Sequence, residues 1–207
     1  MPNMAMARRT ANGASGGTSG PRPRGRRRDN RRQALLEAAA RHFRQRGYSG
    51  AALRDIADAA GMLAGSIYYY FPSKEDLFVA VHGEGVRRIS AAVDAAASAE
   101  SDPWRRLEAA MAAHLEALLE GGDFAQVVIR DLPAEVPREP LVALRDGYED
   151  RFRHLIGALP LEAGSDRGTL RLMLLGALNW SRVWYRPAGD PPARIAEKFV
   201  GYLRSAL

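Results

Sequence analysis

The sequence predicts an all-α protein, with a small three-helix domain at the N-terminal end joined to a larger helical one. Three observations carry this. Apolar residues recur at intervals of three and four from about residue 35 to the C-terminal end. Two short helical patterns, 52–60 and 64–71, flank a glycine-containing turn. No stretch alternates as a strand would, and no internal repeat is found.

Composition narrows the function classes. The chain has 207 residues, enough for one sizeable core or for a small domain joined to a larger one. With no cysteine, disulfides, thiolate nucleophiles and Cys-ligated zinc are excluded. The longest uncharged apolar stretch, around 172–181, is well short of the roughly 20 residues that span a bilayer. The N-terminal segment lacks the apolar core of a signal peptide, so a cytoplasmic protein without a membrane partner is expected.

The net charge of +6 is unevenly placed. Residues 1–32 hold nine arginines against one acid, a net of +8, which leaves −2 for the rest. Residues 1–28 are rich in Gly, Pro, Ser and Arg and poor in large apolar side chains, and so predict a disordered basic tail. It reads either as a solubilising extension or as an arm that follows DNA phosphates or enters a minor groove.

The first helix starts from Asp29 or Asn30, either a suitable cap, runs through Leu35, Leu36, Ala39 and Phe43, and stops at Gly47. A second, 52–60, has Leu53, Ile56, Ala57 and Ala60 on one face and ends at Gly61. The third, 64–71, is stopped by Pro72. Ser73 then caps a longer helix, with Glu75 and Asp76 in its first turn, where negative charge suits the helix dipole. That helix runs through Leu77, Val81, Val86 and Ile89 toward the alanine-rich 91–97.

Asp102 followed by Pro103 starts the next helix, whose stripe is Leu107, Met111, His114 and Leu118. Phe124, Val127 and Val128 mark a short helix before a Pro-rich break at 133–140. Leu141, Leu144, Tyr148, Phe152, Leu155 and Leu159 form a regular amphipathic helix. Residues 169–185 are apolar almost all round, which predicts a helix buried on several sides. The last helix, from Asp190 and Pro191, carries two apolar stripes: Ile195, Phe199 and Tyr202, and Ala196, Val200, Leu203 and Leu207. One suits the chain's own core, the other a partner subunit.

Residues 64–71 hold three tyrosines and a phenylalanine. At about 100° per residue, Ile67 and Phe71 share a face with Ala64, with Leu63 at its edge, and should pack on Ile56 and Ala60. Tyr69 points away from that face beside Gly65 and Ser66, with Tyr68 and Tyr70 on the flanks. Glycine permits close approach of another backbone, and the two hydroxyls can donate to phosphate or base edges, so this face suits a DNA major groove. Tyr68 and Tyr70 would then reach its phosphate walls.

The stretch 34–81, ALLEAAARHFRQRGYSGAALRDIADAAGMLAGSIYYYFPSKEDLFVAV, resembles the DNA-binding domain of the TetR family of bacterial transcription regulators. RGY, RDIADAAG, GSIYYYF and SKEDL are its most specific parts. The resemblance implies a helix-turn-helix DNA-binding domain over 29–78 and a helical ligand-binding and dimerisation domain over 79–207. It implies that Arg54 reaches a base or phosphate, that Gly65, Ser66, Tyr68, Tyr69 and Tyr70 form the recognition surface, and that Lys74 holds a phosphate. The sequence departs from the family where Ala51 and Ala52 replace the usual Ser/Thr cap and where Leu63 replaces a serine, so either Ser49 caps instead or the arginine tail supplies the affinity.

In the C-terminal region the resemblance implies a ligand pocket among the middle helices, for which Met111, His114, Leu118, Phe124, Val128, Tyr148, Phe152, Trp180 and Trp184 are the candidates. It also implies a homodimer through 169–186 and 191–207. The run NWSRVWYRPAG, 179–189, is similar to the Trp-Tyr-Arg-Pro-Gly-Gly ending of a branch that responds to CoA thioesters, and reads either as a ligand contact or as a dimer-helix terminus.

The four histidines, His42, His82, His114 and His154, have no metal-type spacing, so no metal or cofactor is expected. His114, on an apolar stripe, is either a satisfied core residue or a ligand contact. Arg182, within the most apolar helix, calls for an acidic partner or an anionic ligand, the partner being favoured. The pairs Arg130-Asp131 and Arg145-Asp146 read as surface charges. No hydrolase, nucleotide-binding or zinc-protease motif is present, so no enzyme is expected. The combined reading is a repressor that binds a palindromic double-stranded DNA operator as a dimer and is released by a small apolar or acyl-CoA-like effector. The alternative is a helical adaptor that binds nucleic acid nonspecifically through its tail.

Overall fold

The computed structural model describes residues 24–129 and 132–206. Arg130, Asp131, Leu207 and most of the basic tail lie outside the described residues. Nine α-helices and no strand occur among those described.

Helix α1 (Arg24–Gly50) begins earlier than expected, so residues 24–28 are helical and not part of a disordered tail. Arginine is a good helix former, and the run from Arg24 continues into the apolar repeat without a break. Gly47 ends the regular helix as expected, its φ of 70° being accessible to glycine at little cost.

Helix α2 (Leu53–Ala59) starts at Ala52 without a side-chain cap, so Ser49 does not substitute for the missing hydroxyl. Ala51 is fully buried in the core and is not a surface position. The expected single helix 64–71 is instead a 3₁₀ turn (Ala64–Ser66) followed by one turn of helix α3 (Ile67–Tyr70), and Phe71 is extended. Ile67 and Phe71 are buried as expected, but Leu63, 81% exposed, and Ala64 face solvent and do not pack on Ile56.

Helix α4 (Lys74–Ser98) is capped by Ser73, whose Oγ accepts from the Asp76 amide at 3.0 Å. Helix α5 (Pro103–Glu120) is capped by Asp102 in the same way. Helices α6 (Asp123–Val128) and α7 (Arg138–Gly157) follow. Helix α7 starts inside the Pro-rich segment, because Pro140 falls in its first turn, where an amide has no intrahelical acceptor. Helix α8 (Arg167–Trp184) and helix α9 (Pro192–Ala206) complete the chain.

There are two cores. The head core joins Leu35, Phe43, Ile56, Ile67, Leu77 and Phe78, and it takes in Phe124 and Val127 of α6. At about 1.5–3 kcal/mol for each large apolar side chain fully buried, Ile67, with Phe71 beside it, anchors the 64–70 segment in the head core. The body core joins Leu107, Met111, Leu115, Phe152, Ile156, Leu178 and Val200, with α5 packed against α4, α8 and α9. Helices α4 and α6 contribute to both domains. The ion pair Arg44–Asp123, 2.6 Å, adds a link between α1 and α6.

Helix α8 departs from its expectation. Leu170, Leu174, Leu175 and Leu178 are buried, while Leu172, Met173, Trp180, Val183 and Trp184 are open to solvent. The two expected stripes of α9 also resolve differently. Ile195, Ala196, Val200 and Leu203 are all buried, and Tyr202 is exposed.

Candidate nucleic-acid interface and ligand cavity

The recognition segment presents the face expected of it. Gly65, Ser66, Tyr68 and Tyr69 are exposed, while Tyr70 is half-buried against the head core, edge-on to Tyr69 with ring centroids 5.1 Å apart. Nothing lies within 4 Å of a Cβ added at Gly65, so this backbone is open to close approach.

The N-terminal turns of α1 lie beside this face. The Arg28 guanidinium stands 5.2 Å from the Tyr69 ring centre, and that of Arg32 stands 5.2 Å from the Phe71 ring centre. Arg54 is exposed at the start of α2. Lys74 lies over the Tyr48 ring at 4.6 Å and donates to the Ser49 carbonyl at 3.4 Å, which places its ammonium near the uncapped start of α2. The Tyr48 hydroxyl donates to Glu75 at 2.7 Å, and burial and this carboxylate push its pKa up.

A second site lies in the body: a mainly apolar cavity of about 420 Å³. Of the nine candidates for it, His114, Leu118, Val128, Tyr148 and Trp180 line it, and the other four do not. Met111 and Phe152 are fully buried in the core behind it, Phe124 belongs to the head core, and Trp184 is on the outer face of α8. Spacing of three to four residues places side chains on one helix face but does not say how deep along that face the cavity lies.

The lining also includes His82, Val86, Ile89, Ile129, Arg145 and Glu149, which the sequence does not single out as ligand contacts, and Asn179 and Arg182, for which a ligand contact is one of two readings. His82 was within reach of sequence reasoning, as a polar residue one position past Val81 on the apolar face of α4. It is 6% exposed and its Nδ1 has no hydrogen-bond partner. Burial lowers its pKa to about 4.

His114 is the most enclosed polar group in the cavity, at 5% exposure. Its Nδ1 is 2.6 Å from the Tyr148 hydroxyl, and its Nε2 has no hydrogen bond. Burial pushes its pKa down to about 4, with a polar contact from the Asn179 side chain acting the other way. Both cavity histidines are therefore neutral at pH 7.

Arg182 is exposed at the cavity edge and is neither buried nor paired with an acid among the described residues. It donates instead to the Ile129 carbonyl. Also on the lining, Arg145 pairs with Asp146 at 3.0 Å and with Glu149 at 3.6 Å, while Glu149 is held more closely by Arg171. Among the described residues no group of three or more His, Asp or Glu side chains could hold a metal ion, and no helix is long and apolar enough to cross a membrane.

Comparison with known proteins agrees with this two-part layout. Residues 35–81 match the family model "Bacterial regulatory proteins, tetR family", and residues 100–207 match "Tetracyclin repressor-like, C-terminal domain". The chain is 31% identical over 175 residues to the HTH-type transcriptional repressor KstR2 of Mycobacterium tuberculosis (strain ATCC 25618 / H37Rv), covering 80% of this chain and 86% of that protein. Among solved structures it resembles superantigen PfiT, with a TM-score of 0.73 and 30% identity over 82% of this chain and 94% of that one. It also resembles AibR in complex with isovaleryl coenzyme A and operator DNA, with a TM-score of 0.69 and 26% identity over 83% and 97%. With its head, its body and a relative of this identity all in agreement, the chain belongs to the TetR family of bacterial regulatory proteins and is a DNA-binding transcriptional regulator.

Proposed function

We propose that this regulator is a cytoplasmic repressor that binds a palindromic operator as a homodimer and leaves it when a small apolar or acyl-CoA-like effector fills the body cavity. The observation that carries the reading is that two helices serve both sites. On α4, Phe78 and Val81 pack in the head core while His82, Val86 and Ile89 line the cavity. On α6, Phe124 and Val127 pack in the head core while Val128 and, just past the helix end, Ile129 line the cavity. A molecule that moves these helices moves the recognition turn, and by linkage DNA and effector each weaken the other's binding by the same factor.

Recognition rests on Gly65, Ser66 and Tyr69 entering the major groove, with Tyr68, Tyr70, Arg54 and Lys74 on phosphates. The exposed apolar face of α8, with Tyr202 of α9, supports a partner subunit, since that much apolar surface is unusual on a monomer. The arginines at the cavity, Arg145 and Arg182, suit an anionic group on an otherwise apolar effector. The AibR complex supports a CoA thioester, as does the similar ending at 179–189. No enzymatic role is assigned.

The test is selection of operator DNA from a random pool by the full chain. An inverted repeat bound by two copies and released by short or medium acyl-CoAs is expected. Enrichment of no sequence would return the reading to a nonspecific nucleic-acid adaptor, and an operator unaffected by any acyl-CoA would remove the effector class alone.

A further inference from the structure

Taking the body cavity as the effector site, we infer that His114 is its specificity-determining residue and donates its Nε2–H to a carbonyl oxygen of an otherwise apolar ligand. His114 is held in one orientation: its ring stands 5.8 Å from that of Tyr148 and edge-on to Phe152 at 5.9 Å, with Nδ1 2.6 Å from the Tyr148 hydroxyl. Only the direction of that hydrogen bond is left to decide. A phenol is a stronger donor than a neutral imidazole N–H, and an imidazole sp² nitrogen is a stronger acceptor than a phenol oxygen. The Tyr148 hydroxyl also has no other hydrogen-bond partner among the described residues. Tyr148 therefore donates to Nδ1, and in the neutral ring the proton sits on Nε2.

That N–H is a buried donor that completes no hydrogen bond, although the Asn179 side chain on the same lining acts on the ring, and the lining is otherwise mainly apolar, with Val86, Ile89, Leu118 and Leu175 among it. An unpaired buried donor is costly, and a ligand acceptor at this depth relieves the cost. A neutral carbonyl suits the position better than a carboxylate, because the ring is 5% exposed and burial holds it uncharged. A ketone and a thioester offer the same acceptor, so the chemistry shared by both is the inference.

Two measurements on the full chain test it. In ¹⁵N-histidine NMR without ligand, His114 should show a protonated Nε2 and an acceptor-type Nδ1; an Nδ1–H tautomer or an imidazolium overturns the assignment. In binding titrations, 2-undecanone or S-methyl decanethioate should bind about tenfold more tightly than 2-methyl-1-undecene, in which a methylene replaces the ketone oxygen. A preference for the ketone alone, or for the thioester alone, identifies the carbonyl class. The preference should vanish in His114→Phe and weaken in Tyr148→Phe, which serves if the first variant does not fold. Equal affinity for the carbonyl probes and the alkene, or a preference that survives both substitutions, overturns the role of His114 while leaving the cavity as the effector site. Binding of none of the three probes overturns both.

Discussion

Gly85 of α4 lies against Phe124 of α6 so closely that a Cβ built on the glycine would stand 2.7 Å from the Phe124 carbonyl oxygen and 2.5 Å from Val128 Cγ2. The two helices that serve both head and cavity therefore meet backbone to backbone. Two effects compete in Gly85→Ala. Helix propensity favours alanine by about 1 kcal/mol, while forcing a methyl into a packed contact costs about 1–3 kcal/mol. Because one obstacle is backbone and cannot rotate away, the second effect should win. The expected outcome is a melting temperature lower by about 2–4 °C per kcal/mol lost, read by thermal denaturation. An increase would show that α4 and α6 separate without cost.

Arg28 supplies a charge beside the surface proposed to face the groove, since its guanidinium packs on Tyr69. A phosphate contact of this kind adds affinity but no sequence information. Arg28→Ala should weaken binding to operator and scrambled DNA by similar factors and reduce the slope of log affinity against log salt by about 1. Tyr69→Ala should instead narrow the gap between operator and scrambled DNA. Fluorescence anisotropy over a salt series separates the two, and an unchanged slope for Arg28→Ala would make the α1 extension a bystander.

The cavity histidines give the stability a definite pH dependence. Burial holds His82 and His114 at about 4 in the folded chain against an ordinary value of 6.5. Between those values the unfolded chain binds more protons, so stability falls as pH drops from about 7 toward 4 and is flat with respect to these groups above 7. The full effect is on the order of 3 kcal/mol per histidine. Glu84, pulled down to about 2 chiefly by its hydrogen bond with Arg87, acts in the same direction but only below its ordinary value of 4.5. Denaturant titrations at pH 7.5 and 5.5 should differ in wild type and differ less in His82→Phe. The same loss of stability between the two pH values in wild type and His82→Phe would place His82 in contact with solvent.

Local features were legible from sequence because their causes are local. Ile67 and Phe71 are spaced to one side of a turn, Ser73 stands one residue before its helix, and Gly47 needs only its own φ. The arginine run at 24–28 was misread because composition argued for disorder, whereas continuation of a helix depends on the residues that follow. Depth was not legible at all. Met111 and His114 share a stripe on α5, yet one lies in the core and the other faces the cavity, and only the packing of α4, α7 and α8 decides which. Asn179 and Arg182 were only partly legible: Arg182 reads as calling for an acidic partner or an anionic ligand, and the run that begins at Asn179 reads as a ligand contact or a helix terminus, and only the packing puts both on the lining.

The same ambiguity at α8 leads to the last prediction. Leu172, Met173, Val183 and Trp184 are exposed and follow one another at helical spacing along the side of α8 away from Leu174 and Leu178. If a second copy covers this side, a two-fold axis brings residues near it close to their own counterparts and pairs the others reciprocally, so a charge placed there is buried against an apolar surface and, near the axis, against a like charge. Val183 is 49% exposed and is not part of the cavity lining, so Val183→Glu spares both the core and the effector site. The variant should keep its helical circular dichroism, sediment as a monomer at micromolar concentration, and lose operator affinity by about 100-fold or more, because the second half-site is no longer held at high effective concentration. A dimer of unchanged mass would exclude this face of α8 as the contact between subunits.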